Sequence, residues 1–130
     1  MGFLENIQPI LLVSAGSILG ANIRYFIFQK LDNFFIKNEL KTVIINILSS
    51  FLLGFFSAII TNEIYSAYSY QIVLLVIIGF LGSFSTFSSF IYDLFQLSCK
   101  VKFLNLIKNL TFSLVFGLFS LSIGFFFGNQ

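Results

Sequence analysis

Four long stretches without a charged side chain decide what this chain can fold into. They run from Asn6 to Ile23, Thr42 to Asn62, Ile64 to Tyr92 and Asn109 to Gln130, which is 18, 21, 29 and 22 residues. A helix rises about 1.5 Å per residue, so about 20 apolar residues cross the hydrocarbon of a bilayer. Within lipid every backbone N–H and C=O must find an internal partner, and a helix provides one within its own segment. Uninterrupted apolar runs lack the alternation of a barrel strand. The expectation is an all-α membrane protein of one domain, 1–130, with four transmembrane helices near 8–29, 41–61, 70–97 and 103–127. Pro9 suits a first helical turn. No Lys or Arg precedes the first run, and its first charge is Glu5, so this segment is expected to be kept as a helix rather than cleaved as a signal peptide.

Composition narrows the chemistry. Hydrophobic residues make up 58% of the chain, charged residues 9%, and mean hydropathy is +0.99. A soluble domain of 130 residues has too much surface to hide that much apolar side chain. With no histidine and the single Cys99, one chain cannot build a His/Cys metal cluster, a Ser-His-Asp triad or a disulfide framework. No enzyme chemistry is expected. A net charge of +2 is too small to suggest nucleic acid as a partner. Cys99 reads as an inert loop residue.

The polar residues inside the apolar runs carry the remaining information. On the second run Asn46, Ser49, Ser50, Gly54 and Ser57 share one helical face. Asn109, Ser113, Gly117, Ser120, Gly124 and Gly128 form a similar stripe on the fourth. The first run has Gly16 and Gly20 at the spacing used for close helix packing. Packing accounts for the glycines and most serines. An amide such as Asn46 is harder to dismiss, because burying it unpaired in hydrocarbon costs roughly 2–7 kcal/mol. The third run is rich in small and hydroxyl residues from Gly79 to Thr86. Two glycines so close weaken a helix and permit a break, tolerated at membrane depth only where protein or an ion uses the freed backbone groups. The plainer alternative is a close-packed helix interface. Arg24 reads as a terminal arginine snorkelling to the interface; Asp93 can pair with a cation or reach water.

The stretch Gly79-Phe80-Leu81-Gly82-Ser83-Phe84-Ser85-Thr86-Phe87-Ser88-Ser89-Phe90, followed by Asp93, resembles the third-helix signature of the Fluc (CrcB) fluoride-channel family, roughly G-F-x-G-G-x-T-T-F-S-T-F with an acidic residue three positions on. Gly20-Ala21-Asn22-Ile23-Arg24-Tyr25 resembles that family's first-helix G-A-x-x-R-Y. Asn46 with Ser50-Phe51-Leu52-Leu53-Gly54 resembles its N-x-x-G-S-F-x-x-G, with Ser49 in place of the glycine. Asn109, Ser113 and Gly117 stand where the family's fourth helix usually has Tyr, Ser and Gly. Ser83, Ser85 and Ser89 are further departures. The matching motifs lie in all four helices, in order.

The resemblance implies a passive fluoride-selective channel that exports cytoplasmic fluoride across the bacterial plasma (inner) membrane and so confers fluoride resistance. It implies a third helix broken mid-membrane and an antiparallel dimer. Phe87 and Phe90 would line the fluoride path with their ring edges, Asn46 would donate its amide N–H, and Thr86, Ser88 and Ser113 would add hydroxyls. Backbone carbonyls of Gly82 and Ser85 would hold a structural Na+ that is not transported. Arg24 and Asp93 would be structural or orienting residues. The effect of Asn109 in place of Tyr stays open. These residue types suit a small, strongly hydrated anion: ring edges, amides and hydroxyls are neutral donors that replace water yet still release the ion.

Charge placement bears on the partner. Lys30, Lys37, Lys41, Lys100 and Lys102 flank the first and third loops, while the N-terminus, second loop and C-terminus carry no Lys or Arg. The positive-inside rule then orients the N-terminus outward. A fixed orientation implies an oppositely oriented paralogue as dimer partner; the alternative is an antiparallel dimer with itself. Two other functions compete. A small multidrug-type proton-coupled transporter needs a membrane-embedded carboxylate, which the first helix lacks beyond Glu5. A non-transporting membrane scaffold subunit would use every small residue for packing.

Overall fold

The computed structural model describes residues 2–34, 37–62, 69–100 and 103–130; Lys102, one of the loop cations counted above, lies outside them. All regular structure among these residues is helical. Helix α1 spans Gly2–Asp32, α2 spans Asn38–Asn62, and α6 spans Phe103–Gly128. The third passage is composite. A turn of α-helix, α3 (Ser69–Ile72), continues into a π-helical segment, Val73–Leu81, then α4 (Gly82–Phe84) and α5 (Phe87–Cys99). Four helical spans are long and apolar enough to cross a membrane: Ile7–Asp32, Asn38–Thr61, Tyr70–Cys99 and Phe103–Gly128. The chain is a multi-pass membrane protein. Its greasiest side chains face outward, including Ile10, Leu11, Ile18, Phe26, Leu118 and Phe119, as lipid rather than water requires.

Two local readings change. Pro9 falls inside α1, which begins at Gly2, although it opens the apolar part of that helix. Its missing N–H is tolerated because transmembrane helices re-satisfy a freed carbonyl through local adjustments. Cys99 is exposed and closes α5 instead of sitting in the loop.

Packing divides the bundle into two helix pairs: α1 against the π-helical segment and α4, and α2 against α6. Small residues allow both contacts. Gly16 on α1 sits against the Leu75 carbonyl, and a Cβ added at Gly79 would come within 2.7 Å of Val13 O. Ser17 Oγ donates to Gly79 O at 3.3 Å, and Ser83 Oγ donates to Ser17 O at 2.9 Å. In the other pair a Cβ at Gly124 would collide with the Phe51 carbonyl, and one at Gly54 with the Leu121 carbonyl. Ser120 Oγ donates to Ile47 O at 2.9 Å. Lipid supplies no hydrophobic drive between helices, so close backbone contact and these interhelical hydrogen bonds hold the pairs. A small core of Ile45, Leu81 and Phe84 joins the two pairs, with Phe80 stacked on Phe84 at a centroid distance of 5.7 Å.

Helical dihedrals stop at Phe84. Ser85 is extended (φ −72°, ψ 148°), Thr86 is also non-helical (φ −126°, ψ 84°), and α5 begins at Phe87. Phe84, 1% exposed, anchors the upstream side of this interruption in the core.

Candidate functional site

The interruption rearranges backbone partners. Ser85 N–H still donates to Leu81 O at 3.0 Å. In a continuous α-helix Thr86 N–H would donate to Gly82 O. It donates instead to Asn46 Oδ1 on α2, at 3.2 Å. Asn46 therefore does what a helical carbonyl would have done, and Gly82 O gives up its usual donor. The same bond fixes which end of the amide is free: with Oδ1 engaged, both Nδ2 protons remain, and Nδ2 has no partner among the described residues.

Asn46 opens onto a cleft of about 320 Å³ between α2 and the third passage, lined by Asn46, Ser49, Ser50, Leu53, Ile77, Leu81, Gly82, Ser85 and Phe87. No lining residue is charged. Ser49 Oγ is spent on Asn46 O at 3.0 Å. Ser50 Oγ and Ser85 Oγ have no hydrogen-bond partner among the described residues, so the cleft offers an amide and two unengaged hydroxyls beside an aromatic ring. Phe87 stands at its mouth, 74% exposed. Gly82 has open space around a would-be Cβ, its nearest neighbour being Ile77 O at 3.9 Å. The surroundings are neutral and donor-bearing, which suits a dehydrated small anion better than a fixed cation, because a neutral donor binds without trapping.

The other expected site residues fall elsewhere. Ser88 and Asp93 line a second cleft, about 400 Å³, with Asp32, Asn38, Lys41, Thr42 and Ser89. Arg24 and Thr86 line a third, about 370 Å³, with Tyr25, Gln29, Asp32 and Ser89. Of the three clefts Thr86 lines only this one, although its N–H donates to Asn46, and its buried Oγ1 has no partner among the described residues. Phe90 and Ser113 are half-buried and line none of these three clefts. Ser113 sits on the α6 stripe, whose Gly117 approaches Ser50 Oγ at 3.5 Å from a would-be Cβ.

Two features escaped sequence reasoning. Lys41, read as a loop-flanking cation, is 3% exposed; its Nζ is paired with Asp32 and donates to Asn38 Oδ1 at 2.9 Å. Ser50 appeared in a stripe and in the second-helix motif but was given no role on the path, yet its hydroxyl lines the Asn46 cleft with no hydrogen-bond partner among the described residues. The signal available was its place one turn past Asn46 on the same face.

The fold and the cleft define a small multi-pass helical membrane protein with a neutral cleft of amide, hydroxyl and aromatic groups. Residues 11–125 match the family described as "CrcB-like protein, Camphor Resistance (CrcB)". The chain is 43% identical to "Fluoride-specific ion channel FluC 2" of Prochlorococcus marinus (strain NATL2A) over 123 residues, 95% of this chain and 99% of that one. It is 33% identical to "Fluoride-specific ion channel FluC 1" of Methanosarcina acetivorans over 115 residues, 88% of this chain and 86% of that one. The chain belongs to the CrcB family.

Proposed function

We propose that this chain is a subunit of a passive fluoride-selective channel, not an enzyme, that lets cytoplasmic fluoride leave a bacterial cell through its inner membrane. The observation that carries this reading is the Asn46–Thr86 bond: with Oδ1 engaged, the Nδ2 protons have no partner among the described residues, and Asn46 lines an uncharged cleft with Phe87. The names of the relatives support fluoride as the ion. On this reading Asn46 Nδ2 and the Phe87 and Phe90 ring edges replace part of the anion's water, with Thr86, Ser88 and Ser113 hydroxyls extending the path. A negative-inside membrane drives an anion outward with about 2.3 kcal/mol per 100 mV, so no second energy source is required.

Four helices do not enclose this cleft; Phe87 remains largely exposed. An antiparallel partner would complete it. The lysine distribution favours a fixed orientation and hence an oppositely oriented paralogue. The carbonyls at Gly82 and Ser85 fit a structural Na+: Thr86 N–H has left Gly82 O for Asn46, and Ser85 is extended. When bound, Na+ would supply a fixed charge at the junction of the two subunits, with the helix interruption lying at membrane depth.

Expression in a bacterial strain stripped of its own fluoride export tests the reading. Growth in millimolar fluoride, alone or with the paralogue, is the expected result. Rescue against cationic drugs but not fluoride would overturn it in favour of a multidrug-type transporter. Tagging both termini in intact cells tests the partner, since a chain found in both orientations excludes the paralogue requirement.

A further inference from the structure

Two of the buried polar atoms left without partners among the described residues are chemically complementary. Asp93 Oδ2 on α5 is an unsatisfied acceptor, and Asn109 Nδ2 on α6 is an unsatisfied donor. Asp93 as a whole is 9% exposed. Three placements bring the two residues to one level of the bundle. First, α5 ends at Cys99 and α6 begins at Phe103. Asp93 and Asn109 are each six positions from those ends (99 − 93 and 109 − 103), on helices that pack together. Second, α2 and α6 run side by side in parallel. Ser120 meets Ile47, Gly124 meets Phe51 and Gly128 meets Phe55, each pair differing by 73 positions. Carried down α6, that offset sets Asn109 level with the start of α2. Third, Asp93 shares its cleft with Asn38, Lys41 and Thr42 from that same start.

We infer that Asn109 Nδ2 donates a hydrogen bond to Asp93 Oδ2, directly or through one water, and that this pair sets the position of α5 against α6. Leaving a carboxylate oxygen and an amide proton both buried and unpaired costs more than any rotamer change that joins them. Lys41 lines the same cleft, but its Nζ bonds Asp32 and Asn38 and leaves Asp93 Oδ2 without a partner among the described residues. The consequence is positional. Phe87 and Phe90 lie on α5 on the N-terminal side of Asp93, and Ser113 lies one turn beyond Asn109 on α6. A pair at this level holds the aromatic groups and the serine in register. Asp93 and Asn109 are thus positioning residues, and only this positioning role rests on the channel reading.

A charge swap tests both parts in purified full-length protein, with its paralogue where one is required. Asn109→Asp sets two carboxylates at one level; Asp93→Asn with Asn109→Asp restores one donor and one acceptor with the roles exchanged. N109D is expected to lower the melting temperature and to slow fluoride efflux per assembled channel by at least about tenfold, and the double variant to return both close to the parent. If N109D cannot be purified but the double variant can, the pair is supported. Additive effects, a silent N109D, or a double variant that fails like N109D would overturn it. A melting temperature that recovers without the efflux rate would overturn the positioning role alone. If the parent itself carries no fluoride, the channel reading fails, and the melting comparison still decides the pair.

Discussion

Replacing Asn46 by Asp or by Leu separates the two jobs assigned to its amide. Asp retains an acceptor for Thr86 N–H, so the bond at 3.2 Å that ties α2 to the helix interruption survives. It replaces the two free Nδ2 protons with a carboxylate oxygen facing the cleft. Two unit charges about 4 Å apart at an effective dielectric of about 20 repel by ~4 kcal/mol. Since ~1.4 kcal/mol is a factor of ten in rate, fluoride flux through N46D should fall about a thousandfold while the protein melts and assembles like the parent. Leu is neutral and removes both groups. It leaves Thr86 N–H without its acceptor, so N46L should lose about 1–3 kcal/mol of stability in addition to its donors. Fluoride-electrode recordings on reconstituted vesicles give the flux, and thermal unfolding in detergent gives the stability. An assembled N46D that conducts like the parent would refute the donor role; an N46L that melts like the parent would refute the structural bond to Thr86.

Further outcomes follow from the same geometry. Phe87→Ile removes a ring that is 74% exposed, so melting should be unchanged, while flux falls about tenfold, worth ~1.4 kcal/mol for the lost edge contact. Gly124→Leu drives a side chain into the Phe51 carbonyl and should separate α2 from α6, costing roughly 1–3 kcal/mol or more, read as a lower melting temperature and loss of a single assembled species. Asp32→Asn should destabilise more than Lys41→Met: the first leaves a buried ammonium short of its counter-charge, the second leaves a largely exposed carboxylate in water. Equal melting of D32N and K41M would contradict that asymmetry.

Hydropathy alone made the four membrane helices legible, because uncharged runs of membrane length have few other uses. Asn46 stood out as a buried amide, and the family resemblance named Phe87, Gly82 and Ser85; the structure brings these four to one cleft. What pairs with what was not legible. The Asn46–Thr86 bond joins residues 40 apart, and no local periodicity encodes such a contact. The π-helical segment Val73–Leu81 was likewise invisible: its apolar run reads as one continuous membrane helix, and hydropathy does not distinguish a π from an α register. Lys41 shows the reverse failure. A lysine beside a loop reads as solvated, but Asp32 and Asn38 converge on it and bury it. Thr86 and Ser88, which the resemblance places on the same path as Asn46, line neighbouring clefts. The surfaces that an antiparallel partner would cover lie beyond what one chain's pattern can specify.

The central claim is that a neutral, donor-lined passage carries fluoride through the bilayer without coupling to another energy source. Efflux from liposomes loaded with equal fluoride and chloride, reconstituted with this chain and its paralogue where one is needed, tests it directly. Fast fluoride release driven by the membrane potential alone, with chloride retained, is the predicted result. Vesicles that hold fluoride as tightly as protein-free controls, or that release both halides together, would contradict the account.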